Sequence, residues 1–121
     1  MDDTTEIRAL QRAYASAFDA RDPEAFANLF TADAEVVLPN GVRLVGREKL
    51  LKAVRHTPPG GVHTPEDGAI LVQGEQATGA SRFRFEPPVG NVVTGAYEDR
   101  FLKTPQGWRI AFRRSIVDGA Q

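Results

Sequence analysis

The chain has 121 residues, 41% hydrophobic and 26% charged, with 15 basic and 16 acidic side chains and no cysteine. That length suits one domain able to bury about two-thirds of the surface its unfolded chain exposes, and a net charge of -1 gives no electrostatic reason to expect nucleic acid or an anionic membrane as a partner. The missing thiols exclude disulfides, cysteine nucleophiles and zinc ribbons. The acidic start MDDTTEIRAL is no signal peptide, and no apolar run approaches the ~20 residues of a membrane span, so a soluble, cytoplasmic protein is expected.

Ile7, Leu10, Tyr14, Ala17 and Phe18 recur at i, i+3, i+4 spacing and predict a first helix with one buried face. RDPEAFANLF then restarts the chain. Asp22 suits an N-cap, Pro23 the first helical position and Glu24 the positive end of the helix dipole; Ala25, Phe26, Leu29 and Phe30 form the apolar face of this short second helix. EVVLPNGVRLVG reads as two β-prone runs around Asn40-Gly41, a strong hairpin signal, although Pro39 blurs the end of the first strand. REKLLKAVRH predicts a third helix burying Leu50, Leu51 and Val54. TPPGGVHTPEDG, residues 57–68, reads as a Pro- and Gly-rich loop, the expected mobile segment or lid. AILVQ and ATGASRFRFE form two strands joined by GEQ, and VVTGAYEDRFLK and WRIAFRRSIV pair across TPQG. Two helices, two strands, a helix and four strands make an α+β domain, one long antiparallel sheet with helices on one face. Three helices cannot fill a sheet that curls strongly around them, so a pocket is expected between the two.

In a strand, alternate side chains share a face, which groups Tyr97, Asp99 and Phe101 within YEDRF. A carboxylate beside two rings has two readings: it lines a cavity that a ligand enters, or it is ion-paired with a neighbouring arginine. The same alternation groups Trp108, Ile110 and Phe112 with Arg114 and Ile116 on the last strand, with Trp108 expected in the core. Arg114 then either reaches a ligand carboxylate or Asp99, or faces solvent at the strand end. In SRFRF, Ser81, Phe83 and Phe85 point inward and Arg82 and Arg84 outward. Phe83, Phe85, Phe101 and Phe112, with Tyr97, are therefore candidate walls of a pocket for a flat hydrophobic molecule, the other reading being core.

AYASAFDARDPEAFANLFTADAEVVLPNG and GAYEDRFLKTPQGWRIAFRRS resemble the NTF2-like cone fold, and within it the SnoaL-like, scytalone dehydratase and ketosteroid isomerase-like branches. The resemblance runs from about residue 6 to 117. It rests on the Asp-Pro break between helices, LFTADAEV leading into the first strand, Gly46-x-x-x-Leu50 opening the third helix, and Y-x-D-x-F…G-W-R-I on the last hairpin. It implies three N-terminal helices packed in a strongly curved mixed or antiparallel sheet. It does not choose a reaction, because one fold hosts many functions.

In the isomerase branch, the tyrosine corresponding to Tyr14 helps bind a developing enolate oxygen. Asp99 matches a second residue of that oxyanion hole, a carboxylic acid kept protonated by apolar surroundings. The branch's general base, an aspartate just before a proline on the first strand, is here Leu38, which cannot take a proton; steroid isomerisation by that route is not expected. In the dehydratase and dehydrochlorinase branches, an aspartate at about the place of Asp19 pairs with a histidine after the third helix, for which His63 is the match. Imidazole titrates near pH ~6.5 and can remove a proton at neutral pH. On the residues alone, Tyr14 also reads as core, His63 as a solvated loop residue and Asp19 as a surface acid. A carboxylate at the negative end of a helix is disfavoured by ~0.3–1 kcal/mol, with only Arg21 in view to compensate. His56 is a good dipole partner at its helix C-terminus. Two histidines away from ligand spacing argue against a metal, and no G-x-G-x-x-G, P-loop or G-x-S-x-G elbow occurs.

The resemblance thus implies cofactor-free proton transfer (dehydration, isomerisation or cyclisation) on a small cyclic, polyketide- or steroid-like molecule. Tyr14, Asp19, His63 and Asp99 would carry the chemistry, and Leu38 and the aromatic residues would line the site. The alternative is a non-catalytic ligand-binding or dimerisation domain of the same fold. A homodimer through the outer sheet face is expected.

Overall fold

The computed structural model describes residues 2–119. Helix α1 (Asp3–Asp19) starts on Asp2, whose carboxylate accepts the Thr5 backbone N–H, and it buries Ile7, Leu10, Gln11, Tyr14 and Ala15. Helix α2 (Pro23–Ala27) starts on Asp22 in the same way, through the Ala25 N–H, but it ends at Ala27, so Leu29 and Phe30, expected on its apolar face, lie beyond it and Phe30 opens the first strand. Between them Arg21 adopts a left-handed backbone with φ 57°, a conformation that side chains with a Cβ rarely take, and its guanidinium donates to the Arg55 carbonyl. Helix α3 (Arg47–His56) buries Leu50, Leu51 and Val54, the side its apolar spacing predicts.

The strands are β1 (Phe30–Val37), β2 (Arg43–Val45), β3 (Val62–Glu66), β4 (Ile70–Gln73), β5 (Gln76–Glu86), β6 (Val93–Thr104) and β7 (Gly107–Val117). They form one sheet in the order β2-β1-β7-β6-β5-β3, with β4 also paired to β5. The long strands β5, β6 and β7 are antiparallel neighbours, whereas β1 runs parallel to β7, so the sheet is mixed. It is curved and unclosed, and α1 packs across it against β7 and β3. The core between helices and sheet holds Ile7, Phe26, Leu50, Phe101, Trp108 and Ile110, none more than 2% exposed. Trp108 ties α1 to the sheet: its indole N–H donates to Asp3 at 2.9 Å and its backbone N–H to Glu6 at 2.7 Å. No described helix is long and apolar enough to cross a membrane.

Besides the parallel β1–β7 pair, where strand order predicts one long antiparallel sheet, the sheet departs from expectation in two places. Residues 62–66, expected inside a mobile loop, are strand β3, paired with β5 from Val62 opposite Glu86 to Glu66 opposite Arg82. Pro65 and the preceding glycines disguise it. Proline is tolerated there because β3 lies at the sheet edge, where an N–H facing solvent serves no ladder. The second departure is a bulge at Ala111: Arg100 pairs with Phe112, but Phe101 pairs with Ile110. One extra residue on a strand moves every later side chain to the opposite face. Trp108 and Ile110 point inward as expected, but beyond the bulge Arg113 and Ser115 are buried, while Phe112, Arg114 and Ile116 turn to the outer face. The expected single row from Trp108 to Ile116 is split in two.

A polar cluster closes the end of the sheet. Asp118 accepts hydrogen bonds from Arg82 and from the Thr94 hydroxyl, and these contacts, Arg82 first, hold its carboxyl below the usual carboxylate value. A carboxylate whose pKa is lowered by folding stabilises the fold above its unfolded pKa, and that contribution fades as pH falls through the folded one. Asp118→Asn is therefore expected to be less resistant to urea than the native chain at neutral pH, and to match it near about pH 2. A deficit of the same size at both pH values would contradict the linkage.

Candidate active site

The C-terminal end of α1 meets the edge strand β3. Asp19, the last residue of α1, accepts twice from one residue: His63 Nδ1 lies 2.6 Å from one carboxylate oxygen and the His63 backbone N–H donates to the other at 2.6 Å. The two side chains are only 15% and 20% exposed. An ionised carboxylate only accepts, so the neutral ring carries its proton on Nδ1 and presents Nε2 as a lone pair. Arg21, the expected compensation for a carboxylate at this helix end, donates to Arg55 instead, and His63 takes that place. The ring is held from two sides, edge-on to Phe18 of α1 at 5.5 Å and beside Phe85 of β5 at 4.3 Å. Phe85 is also its partner in the β3–β5 register.

His63 lines a cavity of about 190 Å³. Tyr14, Leu38, Phe83, Phe85 and Tyr97 line the same cavity, so six of the residues singled out in the sequence converge on one space, with Asp19 braced behind His63. Phe83 stacks on Tyr97 at 4.6 Å, and Tyr14 meets Tyr97 edge-on at 5.5 Å. Burial raises the pKa of both tyrosines, so each stays a neutral phenol, able to donate. Their hydroxyls, and that of Ser115 in the same wall, have no hydrogen-bond partner among the described residues. Phe18 and Ser115 were not singled out as site residues. Phe18 was legible as the i+4 neighbour of Tyr14 on the buried helix face, whereas Ser115 reaches the cavity only because of the bulge.

Asp99 does not line this cavity. Its Oδ1 accepts from Arg113 Nε at 2.7 Å, and its Oδ2 from Arg113 Nη2 at 2.8 Å and Gln11 Nε2 at 3.1 Å. A carboxyl that accepts three N–H groups through both oxygens has no proton to offer a ligand, so the protonated-donor reading gives way to the ion pair. The partner is Arg113, directly opposite Asp99 in the β6–β7 register and brought inward by the bulge. Burial by itself would lower the pKa of Arg113, but the hydrogen bonds and charge of Asp99 outweigh it and raise the value. Arg113 remains a cation, with its guanidinium carbon 4.3 Å from the Tyr14 ring centroid and 3.8 Å from that of Tyr97. The Arg113–Asp99–Gln11 group thus underlies the two tyrosines that face the cavity.

Three further expectations are corrected. Phe101 is 1% exposed and belongs to the core rather than the cavity wall. Phe112 lies on the outer face, its ring flanked by the guanidinium groups of Arg100 and Arg114. Arg114 stands there too, 3.9 Å from Glu98, and reaches neither the cavity nor Asp99. His56 is exposed at the end of α3. Among the described residues no three His, Cys, Asp or Glu side chains group closely enough to hold a metal ion.

Solved structures share this fold. An NTF2-like protein with a cystatin-like fold from Novosphingobium aromaticivorans aligns with a TM-score of 0.88 at 24% identity, over 98% of this chain and 84% of that one. A protein of unknown function from Mycobacterium tuberculosis aligns at 0.87 with 29% identity, over 95% and 71% of the two chains. A candidate scytalone dehydratase from Novosphingobium aromaticivorans aligns at 0.81 with 21% identity, over 94% and 83%. No protein with curated annotation matches in sequence. The likenesses establish the cone fold, on which many chemistries are built. With residues 1–114 matching the SnoaL-like domain, the chain belongs to the SnoaL-like family.

Proposed function

We propose that the protein catalyses cofactor-independent proton transfer, of the dehydratase or isomerase type, on a small hydrophobic molecule in the cone cavity. The observation that carries this is the double contact of Asp19 with the ring and backbone of His63, both at 2.6 Å, on an imidazole that lines an otherwise aromatic cavity. Nε2 takes a proton from the carbon next to a carbonyl, and Asp19 stabilises the imidazolium that forms. The hydroxyl of Tyr14 or Tyr97 donates to the oxygen on which negative charge develops. The proton held on Nε2 then returns to another carbon, which is isomerisation, or to a leaving hydroxyl, which is dehydration.

The test is exchange of the α-protons of cyclohex-2-en-1-one in heavy water, followed by NMR. The native chain is expected to accelerate it and His63→Ala to lower that acceleration by about 10²–10⁴-fold. Exchange that ignores the substitution would remove His63 from the chemistry. A second reading, a hydrophobic-ligand-binding domain without turnover, is favoured by Leu38 standing where the isomerase branch has its base. It predicts binding with no exchange at all.

The reading includes a homodimer through the outer sheet face. Leu71, Leu102 and Ile116 are 57%, 38% and 43% exposed there, on the same face as Phe112 and interspersed with Arg100 and Arg114, and exposed apolar side chains rimmed by polar ones mark interaction surfaces. Sedimentation equilibrium is expected to return twice the chain mass for the native protein and the single-chain mass for Phe112→Glu. A native monomer at micromolar concentration would refute the dimer.

A further inference from the structure

The volume of the cavity limits what its wall can cover. A closed apolar cavity of about 150 Å³ accommodates benzene, and this one, which opens to solvent, has about 190 Å³. One six-membered ring with a few substituent atoms fits within it, and part of a fused ring system would stay outside the wall. The wall is largely aromatic, with Phe83 packed on Tyr97 and Phe85 on the His63 ring, so it offers ring faces and edges to an apolar ligand.

Charge is limited as well. The cation nearest the tyrosines, Arg113, lies behind their rings and is closed off by Asp99 through two hydrogen bonds. Its remaining nitrogen, Nη1, is buried with no partner among the described residues, so it does not open into the cavity. The described lining holds no lysine or arginine, and His63 is already paired with Asp19. A carboxylate or phosphate entering would lose its hydration without gaining a counter-charge, which is strongly unfavourable. A neutral oxygen finds donors instead. The hydroxyls of Tyr97 and Ser115 stand on directly paired residues of β6 and β7, whereas His63 stands on β3, beyond β5. These two donors therefore stand two and three strands away from the base, and the third hydroxyl, that of Tyr14, faces the cavity from α1.

We propose that the cavity selects an uncharged, single-ring carbonyl or phenolic compound, with its oxygen toward Tyr97 and Ser115 and its ring against Phe83 and Phe85. This names the substrate class of the same site and rests on the reading of His63 as the base for which ring position faces Nε2. It is narrower than the steroid or polyketide class that the family resemblance implies.

The experiment is calorimetric titration of the native chain with four probes at neutral pH: phenol, cyclohex-2-en-1-one, benzoate and 2-naphthol. Phenol and cyclohexenone are expected to bind and to shift the His63 ring signals in NMR. Benzoate and 2-naphthol are expected to bind at least about tenfold more weakly. Val93→Phe, which fills the cavity from β6, is expected to weaken phenol by about tenfold or more. Benzoate binding as tightly as phenol overturns the charge selection, and 2-naphthol binding as tightly overturns the size limit. Phenol held equally well by Val93→Phe sits elsewhere and overturns the site. Failure of both neutral probes to bind overturns the proposal even where His63-dependent exchange is seen on another ketone. The expected order of binding without any exchange supports the ligand class and removes the catalytic reading alone.

Discussion

Replacing Asp99 with leucine is expected to cost the fold about 3–5 kcal/mol, whereas replacing Asp99 with leucine and Arg113 with methionine together is expected to stay within about 2 kcal/mol of the native chain. Both side chains are fully buried, so each loses its hydration on folding and only their mutual contact offsets the loss. The single variant strands a guanidinium that already has one unpartnered nitrogen and leaves Nε and Nη2 without acceptors. The double variant removes the charge along with its partner, and comparable buried pairs have been exchanged for apolar residues without loss. Arg113 also lies 4.3 and 3.8 Å from two tyrosine rings. A desolvated contact of this kind is worth up to about 2 kcal/mol, of which a methionine sulfur recovers about 0.3–1.5 kcal/mol, and this sets the allowance for the double variant. Urea unfolding of both variants decides the matter. Equal losses in the two would mean that the pair contributes net attraction and is not merely a mutually compensated defect.

Asp19→Asn is expected to lower turnover nearly as far as loss of His63, by about 10²–10⁴-fold, while leaving the fold in place. The reason lies in which atoms donate. In the native chain one carboxylate oxygen takes the His63 backbone N–H and the other takes Nδ1–H. An asparagine must turn its carbonyl toward the backbone N–H, since that group can only donate. Its amide then faces Nδ1 and donates to it. The ring proton moves to Nε2, and the lone pair required as a base is gone from the cavity side. Nitrogen-15 NMR of the imidazole separates the tautomers, so the native ring is expected to be protonated at Nδ1 and the variant ring at Nε2. Lost turnover with an unchanged tautomer would point to the imidazolium's need for a negative partner instead. Unchanged turnover with a switched tautomer would show that His63 is not the base.

Much of the site was legible because its parts are local or shared with the family. The helix spacing put Tyr14 and Phe18 on one buried face, and strand alternation put Phe83 and Phe85 on another. The Asp19–His63 contact was reached through the resemblance, since residues 44 positions apart carry no local sign of meeting. Where alternation was extended past Ala111 it failed for Phe112 and Arg114, and the same slip concealed Arg113 and Ser115.

The sequence by itself determined the elements whose causes lie within a few residues: the Asp22 and Pro23 start of α2, the buried stripes of α1 and α3, and the long strands, while the cone is what the family resemblance implies. Only the tertiary structure decided that residues 62–66 form a strand, that the last strand bulges, that Asp99 belongs to Arg113 and how much space the rings leave. Periodicity and capping act between near neighbours, so they are written in the order of residues. An edge strand exists only once β5 offers a partner about 20 residues downstream. A bulge costs one unpaired residue that no composition marks, and a cavity is the small remainder left when large side chains have packed against one another.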